Sequence, residues 1–162
     1  MIILGIDPGT ATTGYGLIKV NFKNKNDLQC LAYGCITTVP GKSDGQRLKE
    51  IEKELSKIIN KHKPDILAVE RIFFFKNQKT IITVSQAKGV IILTAAKKKI
   101  PVVEYSPVEV KMAVSGYGRA EKKQIQRLIQ SILDLDDLPK PDDAADALGI
   151  AICCSQRLKC KK

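Results

Sequence analysis

Two short runs of uninterrupted apolar residues, IILGI at 2–6 and ILAV at 66–69, each stop at a carboxylate, Asp7 and Glu70. A strand that is apolar at every position, rather than at every second one, is buried on both faces, which places it inside a sheet covered by helices. Pro8 and Gly9 follow the first run and both stop a strand, so Asp7 sits at a strand's end. Glu70 repeats that placement at the end of the second run. Acids belong on the surface unless something compensates their charge, which makes these two informative.

The remaining sequence fills in an α/β arrangement. Thr13 to Phe22 and Leu28 to Thr38 read as strands that complete an antiparallel three-strand meander with the first. Gly14 and Gly16 in the second strand permit close packing or close approach by a ligand. Ser43 or Asp44 can cap a helix whose Leu48, Ile51, Leu55, Ile58 and Ile59 recur at helical spacing. Asn77 to Lys99 predicts a long helix between the strand at 66–70 and another at Pro101 to Tyr105, and a helix joining two strands implies a parallel crossover. A short helix from Ser106 to Ser115, a glycine-bearing loop from Gly116 to Arg119 and an amphipathic helix from Glu121 follow. The last helix opens with Asp142-Asp143. The expected fold is therefore a mixed five-stranded sheet, three antiparallel strands first, flanked by helices. We expect one domain over residues 1–157 and a basic tail at 158–162 that frays.

A chain of 162 residues suits one domain, and its 44% hydrophobic and 27% charged residues exclude disordered, collagen-like and membrane-spanning classes. No apolar run approaches the roughly 18 residues of a spanning helix. The start, MIILGIDPGT, has neither a basic region nor a small-residue cleavage site, and we read it as cytoplasmic. Twenty-seven Lys and Arg against 17 Asp and Glu give a net charge of +10, which suits a polyanion partner but equally a lysine-rich solvated surface. Five cysteines without paired CxxC spacing, and a single histidine, His62, do not make a standard zinc site. The cysteines are expected to be reduced thiols and His62 a surface residue.

Asp7 alone is equally explained as a cap of its own turn, and Glu70 as a partner of Arg71 or a lysine. Asp143 and Asp146 shift the balance. They stand three apart, so on a helix they share a face, and helix capping does not readily explain Asp146. Gathered carboxylates repel one another, and the usual remedies are a shared proton or a hard cation such as Mg²⁺. A basic protein with such a cluster suggests metal-dependent chemistry on phosphodiesters, in which two Mg²⁺ ions about 4 Å apart activate water and stabilise the leaving oxygen.

The order of motifs, GIDPGTATTGYG, then AVERIFF with KNQ behind it, SPVEVK, GRAEKKQIQ and PDDAADALGIAI, resembles the RuvC family of crossover junction endodeoxyribonucleases, Holliday junction resolvases with an RNase H-like fold. The resemblance spans nearly the whole chain. It implies a homodimer using Mg²⁺, two ions per site with Mn²⁺ able to substitute. Such an enzyme nicks two opposing strands of a four-way junction symmetrically, leaving 5′-phosphate and 3′-hydroxyl ends, in recombination and DNA repair. It also implies coupling to a branch-migration helicase complex. The family's catalytic and metal-binding acids match Asp7, Glu70, Asp143 and Asp146; some relatives place a histidine at the position of Asp143. The family's junction-facing aromatic matches Phe73. Phe73-Phe74-Phe75 supply three of the eight aromatics, four Phe and four Tyr, and Phe74 joins Phe73 as a candidate for stacking on bases, with core or dimer packing as the other role for this run. The family's junction-contacting lysines match Lys111 and Lys122, and Lys123 and Arg119 are neighbouring candidates for phosphate.

Three alternatives stand beside this reading. A nuclease of the same fold acting on structured RNA or an RNA–DNA hybrid would carry a similar acid set. An actin-like phosphotransferase shares the DPGT turn but needs two such domains, more than 162 residues provide. A noncatalytic junction-binding module would have lost acids, whereas all four are present. The subunit surface is expected on the helix from Asn77 to Lys99.

Overall fold

The structure is a computed structural model, described here over residues 1–21, 27–72 and 78–159. The candidates Phe73 and Phe74 lie outside the described residues. Three antiparallel strands come first: β1 (Ile2–Asp7), β2 (Thr12–Asn21) and β3 (Asp27–Thr37). Helix α1 (Asp44–His62) leads to β4 (Ile66–Glu70), which pairs parallel with β1. Helix α2 (Gln78–Lys97) then crosses to β5 (Val102–Tyr105), parallel to β4. The five strands lie in the order β3-β2-β1-β4-β5, the mixed sheet expected of an RNase H-like fold. Helices α3 (Pro107–Ser115), α4 (Lys122–Ile132) and α5 (Asp142–Lys159) complete the described elements. Among the described residues no helix is long and apolar enough to cross a membrane.

Side chains alternate across a strand, and here the alternation sorts two cores. Ile3, Ile18, Ile66 and Ala68 pack with α5, α3 and α4 on one face. Leu4, Ile6, Leu17, Leu67 and Val69 pack with α1 and α2 on the other. β1 and β4 are therefore buried on both faces, as their unbroken apolar runs require. Helix α5 is buried on nearly every side, from Ala144 and Ala145 through Ala147 to Ser155, which makes it the central helix of its layer.

Local chemistry sets the element ends. Ser43, rather than Asp44, caps α1: its hydroxyl accepts from Gln46 N while the Gln46 side chain accepts from Ser43 N, a reciprocal capping box. Ser106, followed by Pro107, does the same for α3 with Glu109. Helix α2 stops at Lys97, two residues before the expected Lys99. Lys99 adopts a left-handed φ of 57°, and Ile100 N–H donates to the Ala95 carbonyl at 3.0 Å, closing the helix so that the chain can turn into β5. Helix α5 continues through Lys159, with Leu158 packed against the core.

Candidate active site

The alternation that buries Ile3 on the α5 side places Gly5 and Asp7 on that same side of β1, and Ile66, Ala68 and Glu70 follow suit on β4. In the parallel register Ile6 lies beside Val69, so one further step sets Asp7 beside Glu70 at the carboxyl ends of the two strands. Helix α5 begins over this edge. Its approach is close because the facing strand positions are glycines: a β-carbon on Gly5 would overlap the Ala147 carbonyl, and one on Gly14 the Asp143 carbonyl. The two glycines of β1 and β2 thus carry Asp143 and Asp146 to the acids of the sheet.

The four acids lie close enough to act on one another. The Asp7 carboxyl is pushed up to about 8, first by burial, then by the charges of Glu70, Asp146 and Asp143, while Lys122 pulls it down. Asp146 is also raised, by burial above all, with Lys122 opposing. A carboxyl held at this value keeps its proton at neutral pH unless another positive charge takes the proton's place.

A hard divalent cation fits this donor set, which is all carboxylate oxygen, two groups from strand ends and two from α5. Among the described residues, no three His, Cys, Asp or Glu side chains are already drawn into a closed metal cage.

Of the expected DNA-contacting residues, Lys122 alone is shown in contact with the acids among the described residues. Lys111 lies half-buried on α3, Arg119 is exposed in the α3–α4 loop, and Lys122 and Lys123 are the exposed first residues of α4. Lys122 is already engaged. Its Nζ lies 3.1 Å from Asp146 Oδ2 and 3.3 Å from Asp142 Oδ2, so it joins the acid cluster from the opposite helix. Two neighbours escaped notice in the sequence. Gln126 donates to Asp142 Oδ1 at 2.8 Å, and its position four after Lys122 on an amphipathic helix was the available signal. Cys35 pairs with Gly14 across β2 and β3, and its thiol is pushed up by burial and then by Asp143, which keeps it neutral beside the acids; no sequence signal placed it there.

Comparison with known proteins gives the same assignment. The family model for crossover junction endodeoxyribonuclease RuvC matches residues 3–154. The chain is 54% identical over 153 residues to the crossover junction endodeoxyribonuclease RuvC of Syntrophomonas wolfei, covering 94% of this chain and 87% of that one. It is 51% identical over 158 residues to that of Heliobacterium modesticaldum, covering 98% of this chain and 96% of that one. Among solved structures, Thermus thermophilus RuvC in complex with Holliday junction substrate superposes with a TM-score of 0.93 at 28% identity, over 99% of this chain and 96% of that one. The alternative of a nuclease for structured RNA or RNA–DNA hybrids is not favoured by these matches. Matched by that model across nearly its whole length, and about half identical to those two relatives over the aligned residues, this chain belongs to the RuvC family of crossover junction endodeoxyribonucleases.

Proposed function

We infer that this enzyme resolves four-way DNA junctions with Asp7, Glu70, Asp143 and Asp146 as its catalytic acids. The observation that carries the assignment is geometric: Asp7 and Glu70 end adjacent parallel strands, and Gly5 and Gly14 let the first turns of α5, with Asp143 and Asp146, close over them. The same four would hold Mg²⁺, two ions per site, with Mn²⁺ as a substitute. When bound, such ions neutralise the acids, activate a water and stabilise the leaving 3′ oxygen.

The chain's own residues supply the rest. Asp7 and Glu70 are fixed at adjacent strand ends, which holds their carboxyl groups side by side. Asp143 and Asp146 are carried by a helix whose buried faces keep it from shifting. Lys111, Arg119, Lys122 and Lys123 bring positive charge to phosphates on both sides, with affinity set by backbone contacts and selection of the junction set by shape. Phe73 and Phe74 follow β4 in sequence, where an aromatic could stack on an opened base.

A two-fold dimer would place two such sites on opposing strands of a nearly two-fold junction. Helix α2 suits the interface, because Ile82 and Leu93 are 65% and 53% exposed and lie three turns apart on one face. We place the enzyme in the cytoplasm as a single domain that includes the whole of α5, acting with a branch-migration helicase complex.

The test is cleavage of a labelled four-way junction beside duplex and RNA–DNA hybrid, in Mg²⁺ or EDTA, by wild type and Asp7→Asn. Paired symmetric nicks in the junction, lost with EDTA and in the variant while binding persists, are expected. Cleavage of the hybrid with an intact junction would sink the assignment.

A further inference from the structure

The contact between α4 and α5 has a regular form. Lys122 and Gln126 are four apart on α4, Asp142 and Asp146 are four apart on α5, and each pair therefore shares a helix face. Gln126 Nε2 holds Asp142 Oδ1 at 2.8 Å, and Lys122 Nζ reaches both Asp142 Oδ2 at 3.3 Å and Asp146 Oδ2 at 3.1 Å. An ammonium meant solely for substrate phosphate has no reason to be tied to two carboxylates, one of them in the acid cluster.

We propose that Lys122 is the resident counter-ion of the free site, competing with a divalent cation for the Asp146 carboxylate. This rests on the reading of Asp146 as a metal-holding acid. Several observations support it. Lys122 Nζ lies 3.1 Å from Asp146 Oδ2, an oxygen that a cation held by Asp146 would also need. Its side chain is 51% exposed, so it can leave without disturbing the core. Asp142, fixed by Gln126, offers a second anchor on which the ammonium stays close by once Asp146 is taken. Lys122 is thus a positioning residue whose charge moderates metal affinity until a stronger cation arrives.

The test is Mn²⁺ binding without DNA, followed by the electron paramagnetic resonance signal of free Mn²⁺, in wild type, Lys122→Met, Lys122→Arg, Lys123→Met and Asp7→Asn. Exposed ion pairs are weak, so Lys122→Met is expected to bind Mn²⁺ roughly three- to tenfold more tightly than wild type. Lys122→Arg keeps the charge and should stay within about twofold of wild type. Lys123→Met removes an equal charge one residue away, where no carboxylate partner is seen among the described residues, and should change affinity less than about twofold. Thermal unfolding in EDTA checks that each variant is folded. Equal affinity in wild type and Lys122→Met overturns the proposal, as does equal tightening in Lys123→Met, which would indicate bulk charge alone. If no variant binds Mn²⁺, the metal-dependent reading falls and this proposal with it. That outcome is distinguishable, because in the first two the wild type still binds Mn²⁺ and Asp7→Asn loses it.

Discussion

A β-carbon on Gly14 would overlap the main-chain carbonyl oxygen of Asp143. The distance between β2 and the first turn of α5 is therefore set by a missing side chain, at the one place where helix-borne acids must meet strand-borne ones. Gly14 pairs with Asp7 across the sheet, so the same position adjoins both halves of the site.

Gly14→Ala should push the start of α5 away from the sheet. Overpacking of this kind destabilises by about 1–3 kcal/mol, readable as a lowered urea midpoint. Junction cleavage should fall by more than the folded fraction does, because a displacement of about 1 Å at catalytic groups can cost on the order of 100-fold in rate. Cleavage that tracks the folded fraction would show that the approach of α5 is not tuned for chemistry.

Stability without metal should depend on pH in a direction opposite to that of an ordinary salt-bridged acid. The folded state holds the Asp7 proton up to about 8, against 3.8 ordinarily, so between those values the native protein binds more protons than the unfolded chain. Stability is then greatest at low pH and declines as pH rises toward about 8. Asp146 is raised as well and adds in the same sense. Melting temperatures in EDTA across this range should fall with pH in wild type and fall less in Asp7→Asn. A flat profile in wild type would contradict the raised Asp7.

Junction affinity should weaken steeply with salt, since neutralised phosphates release counter-ions. Lys111→Ala, Arg119→Ala and Lys123→Ala should each lower affinity and reduce the slope of log affinity against log salt by about 1. A residue whose removal leaves the slope unchanged makes no phosphate contact.

Ile82→Glu and Leu93→Glu, on the exposed face of α2, should yield monomers in sedimentation equilibrium while leaving the far-ultraviolet circular dichroism of the subunit intact. Dimers that persist in both variants would move the subunit contact away from this helix.

The sheet and its two acids were legible in the sequence because strands buried on both faces are apolar at every position, and a carboxylate after such a run stands out. The crossover through α2 followed from a helix between two such strands. Other features depend on contacts between elements distant in sequence. Leu17 and Ile18 flank a bulge, across which β3 shifts its register so that Cys30, not Leu31, faces Ile18. Nothing in the composition of β3 announces that extra residue, and with it the adjacency of Cys35 to the acids was hidden. Lys122 was recognisable as a basic residue near the site, but its pairing with Asp142 and Asp146 arises from the crossing of α4 and α5 and leaves no local pattern. The end of α2 at Lys97 depends on a left-handed lysine, a conformation for which glycine would have been the usual signal.

Helix α5 carries Asp143 and Asp146 on a segment otherwise enclosed as far as Ser155. In amide hydrogen exchange, a segment so enclosed opens only with the molecule as a whole. Its amides should be among the slowest to exchange, while those of exposed turns exchange through local opening. The enzyme then has no folded form in which this helix has peeled away, so loss of its two acids from the site and global unfolding are the same event.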